Sequence, residues 1–106
     1  MKRVAKEERR VDRVCDHRLD KYFSITGEAL EKAKGVMDGS SAERLAQARD
    51  FFLMASSYYE DAAHFRQKGH YVNAYGALNY AHGWLDAGAR IGLFKVKDSR
   101  LFTVDD

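Results

Sequence analysis

Five side chains able to move a proton or hold a charge follow one another late in the chain: Tyr75, Asn79, His82, Asp86 and Arg90, at spacings of 4, 3, 4 and 4. Spacings of three and four put all five on one stripe of a helix. Asp86 lies one turn after His82 and one turn before Arg90, so the spacing predicts a connected polar ladder. An imidazole oriented by a carboxylate is the minimal proton-transfer device, because the acid fixes the tautomer and stabilises the imidazolium. The same pair also satisfies groups half-buried between helices, and that structural role is the commoner one. No serine in a strained turn accompanies the stripe, so a hydrolytic triad has no support.

A second face of the same segment carries Gly76, Tyr80, Gly83 and Trp84. Glycine costs a helix up to about 1 kcal/mol relative to alanine, so two glycines a heptad apart call for close approach by another helix or by a ligand, helix packing being the simpler reason. Tyr80 and Trp84 otherwise form a shallow ring-stacking platform. Further upstream, Asp61-x-x-His64 matches half of a di-metal bundle motif. Counting residues back from the turns sets His17 near the level of Glu60, so His17, either Glu60 or Asp61, and His64 come nearest to a ligand set. A full site needs a second such motif and two more acids, and neither a metal nor a cofactor is expected.

The elements that position these residues are helical. Apolar residues recur as Val11, Val14, Leu19, Tyr22, Ile25, Ala29, Ala33 and Val36, which predicts a first helix over about 4–37. Asp38-Gly39-Ser40-Ser41 supplies a turn, and Ser40 with Glu43 reads as a capping box. Leu45, Ala48, Phe52, Ala55, Tyr59, Ala62 and Phe65 mark a second helix over about 41–68, stopped at Gly69. Tyr71, Ala74, Leu78, Ala81, Leu85 and Ala89 mark a third, over about 71–92. Turns this short make neighbours antiparallel. The expected fold is all-α: an antiparallel three-helix bundle with a short extended C-terminal tail, one domain over 1–106. The tail, with Phe94, Val96, Leu101, Phe102 and Val104, either lies against the bundle or offers apolar side chains to a partner.

Composition bounds the rest. The chain has 106 residues and no proline, so helices can run unbroken. No stretch approaches the roughly 20 apolar residues of a membrane span, and the charged N-terminus is followed by no apolar region of the signal-peptide kind. Cys15 is the only cysteine, read as a half-buried helical residue, and a reducing, cytoplasmic setting fits. Residues 1–18 hold seven Lys/Arg against four acids. Such an arm can attract phosphates, but its acids are interspersed at helical neighbour spacing, as on an ordinary solvated face.

The stretches Tyr58-Tyr59-Glu60-Asp61-Ala62 and Lys68-Gly69-x-Tyr71, and above all the run from Tyr80 to Phe94 containing His-Gly-Trp-Leu-Asp-Ala-Gly, are similar to an uncharacterised archaeal family, domain of unknown function 357. The likeness covers about residues 20–104 and leaves the basic extension of about 1–19 outside. The resemblance implies a small three-helix bundle of archaeal cells; it brings no activity, cofactor or catalytic residue with it. The expected function is a small non-enzymatic interaction or scaffold module with a protein partner or a homo-oligomeric state. One alternative is a nucleic-acid-associated protein using the basic arm with Tyr80 and Trp84. The other is a small-molecule or metal-dependent enzyme built on the polar stripe.

Overall fold

The computed structural model describes residues 10–105. Among the described residues three helices, α1 (Asp16–Lys34), α2 (Ala42–Gln67) and α3 (Tyr71–Arg90), run up, down and up. Their neighbours are antiparallel: Arg66 near the end of α2 pairs with Asp16 and Asp20 at the start of α1, while Tyr58 and Phe51 of α2 meet Tyr80 and Trp84 of α3. The chain is the three-helix bundle that its periodicity predicts.

Alanines at heptad spacing make the bundle close-packed. Ala48, Ala55 and Ala62 along α2 are fully buried, as are Ala29 and Ala33 of α1 and Ala74 and Ala81 of α3. Larger side chains fill two clusters at either end, one around Leu19 and Leu78, the other around Leu30, Leu85, Leu93, Phe94, Leu101 and Phe102. Each such leucine or phenylalanine contributes about 1.5–3 kcal/mol by leaving water.

The first helix begins at Asp16, twelve residues later than its periodicity predicts. Residues 4–9 lie outside the described part, but 10–15 are described and are not helical. Val11, assigned to the inner stripe, is 83% exposed, and Cys15 is an exposed residue preceding the helix rather than a half-buried one within it. A short helix without tertiary support is marginal in water. Asp16 is where that support starts, since Arg66 and Tyr71 both bond its carboxylate.

Helix ends follow local chemistry, with one displacement. Ser41, not Ser40, caps α2, its hydroxyl accepting from the Arg44 N–H at 3.0 Å. Ser40 instead donates its N–H to Asp38 Oδ1 at 3.0 Å. At the far end of α2, Gly69 (φ +79°) takes the left-handed conformation that lets the His70 N–H reach the Phe65 carbonyl. Gly92 (φ +80°) repeats the device after α3, sending the Leu93 N–H back to Gly88.

That second turn aims the tail at the link between α1 and α2. The Asp38 N–H donates to Leu93 and the Lys95 N–H to Val36, both at 2.8 Å, around a single antiparallel bridge between Met37 and Phe94. Asp38 is only 5% exposed. Its carboxylate accepts from Arg44 Nε at 2.9 Å and sits 3.6 Å from Lys95 Nζ. The Arg44 guanidinium first, and the Ser40 N–H next, hold the carboxyl far below the usual carboxylate range. Arg44 also donates to the Ile91 carbonyl at 2.8 Å, so one side chain ties the start of α2 to the end of α3. Beyond Lys97 the tail turns over Asp98 and buries Leu101 and Phe102; it lies on its own bundle.

Candidate functional site

α3 positions both candidate faces. Its inward stripe, Ala74, Leu78, Ala81, Leu85 and Ala89, is buried as the spacing predicts, so the polar stripe falls on the flank towards α1 and the tail, and the glycine face falls outward.

The polar stripe is assembled, but not as a ladder running along α3. His82 Nδ1 lies 3.0 Å from the Thr26 hydroxyl of α1, and His82 Nε2 lies 2.6 Å from the Leu101 carbonyl of the tail. A carbonyl only accepts, so Nε2 carries a proton; in the neutral ring Nδ1 then accepts from Thr26. Asp86 Oδ1 accepts the Thr103 N–H at 2.9 Å and stands 3.8 Å from His82 Nε2, beyond hydrogen-bond reach. Arg90 is exposed and pairs with no carboxylate among the described residues. His82, Asp86 and Arg90 line a polar groove of about 410 Å³ whose other wall is the tail.

Tyr75 and Asn79 belong to a different neighbourhood. The Tyr75 ring packs edge-on against Tyr22 of α1, with centroids 5.2 Å apart. Hydrogen bonding to Tyr22 first, and to Asn79 next, holds the Tyr75 phenol below the ordinary tyrosine value, while the same contact raises Tyr22. The five-residue stripe is thus divided: Tyr75 faces α1, Asn79 is exposed at the edge of the outward groove, and His82 and Asp86 clasp the tail.

Both His82 nitrogens are committed to holding Thr26, which is 2% exposed, and the tail. His82→Ala leaves a buried hydroxyl and a carbonyl without their partner, and is expected to lower the unfolding free energy by about 1–3 kcal/mol. Urea denaturation checks this, and a change below about 0.5 kcal/mol would contradict the latch, since that is the range of featureless surface substitutions.

The outward face departs from its expected packing. Nothing from another element lies within 4 Å of where a side chain would begin at Gly76 or Gly83, so neither glycine admits another helix of this bundle. Close approach occurs instead at Gly27, under the Tyr59 hydroxyl, and at Gly88, under the Phe94 ring. Tyr80 is 56% exposed and Trp84 half-buried against Phe51. Two shallow grooves meet at Tyr80, one running past Gly83 to Ala87, the other past Gly76 to Val72 and Asp61.

His17, Asp61 and His64 are exposed and are not gathered; no three His, Cys, Asp or Glu side chains form a metal-binding group among the described residues. The reason is register. The observed pairing is displaced from that count: Asp16 meets Arg66, so His17 sits more than a turn away from the level of Glu60. Of the basic arm, Arg10, Arg13 and Arg18 are described and exposed, and residues 1–9 lie outside the described part. No described helix is long and apolar enough to cross a membrane.

Thr26, Asp38 and Arg44 are the positioning residues that sequence reasoning missed. Thr26 had a legible signal: it sits at heptad spacing between Leu19 and Ala33 on the inner stripe, where a hydroxyl needs a partner. Asp38 and Arg44 had none, because their common target, the 91–95 segment, is some fifty residues away in the chain.

No curated protein and no solved structure matches the chain. One family model does, from the second turn of α1 to the phenylalanine that packs on Gly88; spanning residues 21–94, it places this chain in the family described as Protein of unknown function (DUF357).

Proposed function

We propose that this domain is a non-enzymatic interaction module that docks a protein partner through the outer face of α3. The observation that carries the reading is an exposed face without charge. Residues 69–85 contain no Asp, Glu, Lys or Arg, yet Val72, Asn73, Gly76, Asn79, Tyr80 and Gly83 all stand in solvent. A solvated helix face normally carries charged side chains, and depletion of charge with aromatic enrichment marks the centre of a protein interface. The buried core lies on the opposite side of α3, and the face meets α2 where the Tyr80 ring packs edge-on against Tyr58.

The two alternatives draw less support. Phosphate binding needs cations, and none lies on α3 between His70 and Asp86. Proton-transfer chemistry needs an imidazole nitrogen open to substrate, and both nitrogens of His82 are bonded within the fold.

The test is a chain carrying Val72→Lys and Tyr80→Lys together. Val72 is exposed, so its change is expected to cost no more than about 0.5 kcal/mol, while losing the edge-on contact of Tyr80 with Tyr58 costs about 0.5–1.5 kcal/mol. Proteins retained by the wild-type chain from its own cells, further copies of the chain included, are expected to be lost by the variant. If the variant retains everything the wild type does, docking through this face is wrong.

A further inference from the structure

Tyr58, Asp61 and Phe65 follow one another on α2 at spacings of 3 and 4, which puts them on one flank of that helix. The antiparallel crossing turns this flank towards Gly76 and Tyr80 of α3, and the two flanks bound an open groove of about 590 Å³, within the size range of small-ligand sites. The Tyr58 and Tyr80 rings meet there with their planes at 86° and their centroids 4.5 Å apart, so two aromatic walls stand nearly at right angles. Asp61 is the only charged side chain in the lining, and its α2 neighbours His64 and Lys68 lie outside it.

The electrostatics of such a groove have one sign. The face of an aromatic ring is negative and attracts cations, and a carboxylate does so directly. Asp61 makes no ion pair among the described residues, and residues 69–85 bring no Lys or Arg to the opposite wall, so the lining offers no cation of its own to Asp61.

Asp61 also selects among occupants. An apolar side chain laid in the groove would take the carboxylate out of water without a partner, which is costly, whereas a cation pairs with it. A guanidinium suits the shape better than an ammonium, because it is planar, weakly hydrated, stacks on an aromatic face and still presents N–H groups at its edge to a carboxylate. Resting on the docking role proposed for this face, we infer that the groove takes the guanidinium of an arginine side chain presented by the partner protein, between the Tyr58 and Tyr80 rings and the Asp61 carboxylate.

The experiment is an NMR titration of the isotope-labelled full chain with Nα-acetyl-arginine amide, at constant ionic strength and up to about 100 mM, a range that brackets millimolar binding. The citrulline analogue, an uncharged isostere, is the control. Saturable shifts of the Asp61, Gly76 and Tyr80 amides are expected, with a dissociation constant of about 1–10 mM for this single side chain, and none with the citrulline analogue. Asp61→Asn is expected to weaken binding about fivefold and Tyr80→Leu about tenfold. Tyr80→Phe keeps the aromatic face and is expected to stay within about twofold. Unmoved Leu19 and Leu30 amides show that each variant keeps its fold.

Equal binding of the citrulline analogue, binding indifferent to Asp61→Asn, or no saturable shift with the arginine amide overturns arginine recognition here. If the Val72→Lys, Tyr80→Lys chain then still loses proteins that the wild type retains, the docking face stands with an uncharged occupant. If it loses none, both inferences fall together.

Discussion

Phe94→Ala is expected to lower the unfolding free energy by about 3–5 kcal/mol, the range for truncating a buried phenylalanine. The ring is 1% exposed and rests where α3 has no side chain: a Cβ at Gly88 would stand 2.7 Å from the Phe94 Cδ2. Removing the ring leaves a cavity floored by helix backbone, which cannot move in to fill it without breaking the hydrogen bonds of α3's last turn. The flanking bonds from Asp38 to Leu93 and from Lys95 to Val36 hold the segment in place, so the site cannot collapse by letting the tail sink. A domain of this size has about 5–15 kcal/mol in total, so the variant stands close to unfolding. Urea denaturation followed by Trp84 fluorescence reads the change, Trp84 packing against the same cluster. A loss below about 1 kcal/mol would contradict the packing of Phe94 on Gly88.

Ending the chain after Lys97 is expected to cost about 3–6 kcal/mol, because it removes Leu101 and Phe102, each 2% exposed, at about 1.5–3 kcal/mol apiece. It also removes the carbonyl that His82 holds and the N–H that Asp86 holds. The ion pairs of Asp98 with Lys32 and Arg100 with Glu28 go as well, but both are at the surface, where solvent screens them and they add little. Native-state hydrogen exchange checks the outcome residue by residue. Faster exchange is expected in α1 around Thr26 and in α3 around His82, with the Leu19 and Leu78 end of the bundle opening only with global unfolding. Unchanged exchange around Thr26 would mean that the tail does not hold the upper core. Measuring His82→Ala in the shortened chain refines the point, since its effect should shrink once Leu101 is absent.

The candidate faces differ in how far the chain spells them out. The five polar residues from Tyr75 to Arg90 share a stripe, as their spacing demands, because helical periodicity is a local property. Their pairings are not local. Spacing alone joins His82 to Asp86, yet a tail carbonyl at 2.6 Å and a tail N–H at 2.9 Å take the two groups apart. A residue one turn away competes poorly with a backbone group held in place by a buried Leu101. The glycines make the same point in reverse. Spacing singled out Gly76 and Gly83, which are open, and passed over Gly27 and Gly88, whose close contacts come from Tyr59 and Phe94 on other elements.

By itself the sequence determined the three helices, their antiparallel order and the stripe each turns inward, because apolar periodicity, the Gly69 stop and short links act over a few residues. It also left the outward face of α3 without charge, a fact of composition alone. Only the tertiary structure decided where α1 begins, what His82, Asp38 and Arg44 hold, and that the tail closes the upper core. Each of those depends on a partner that is distant in the chain, so its energy appears only once the helices have packed.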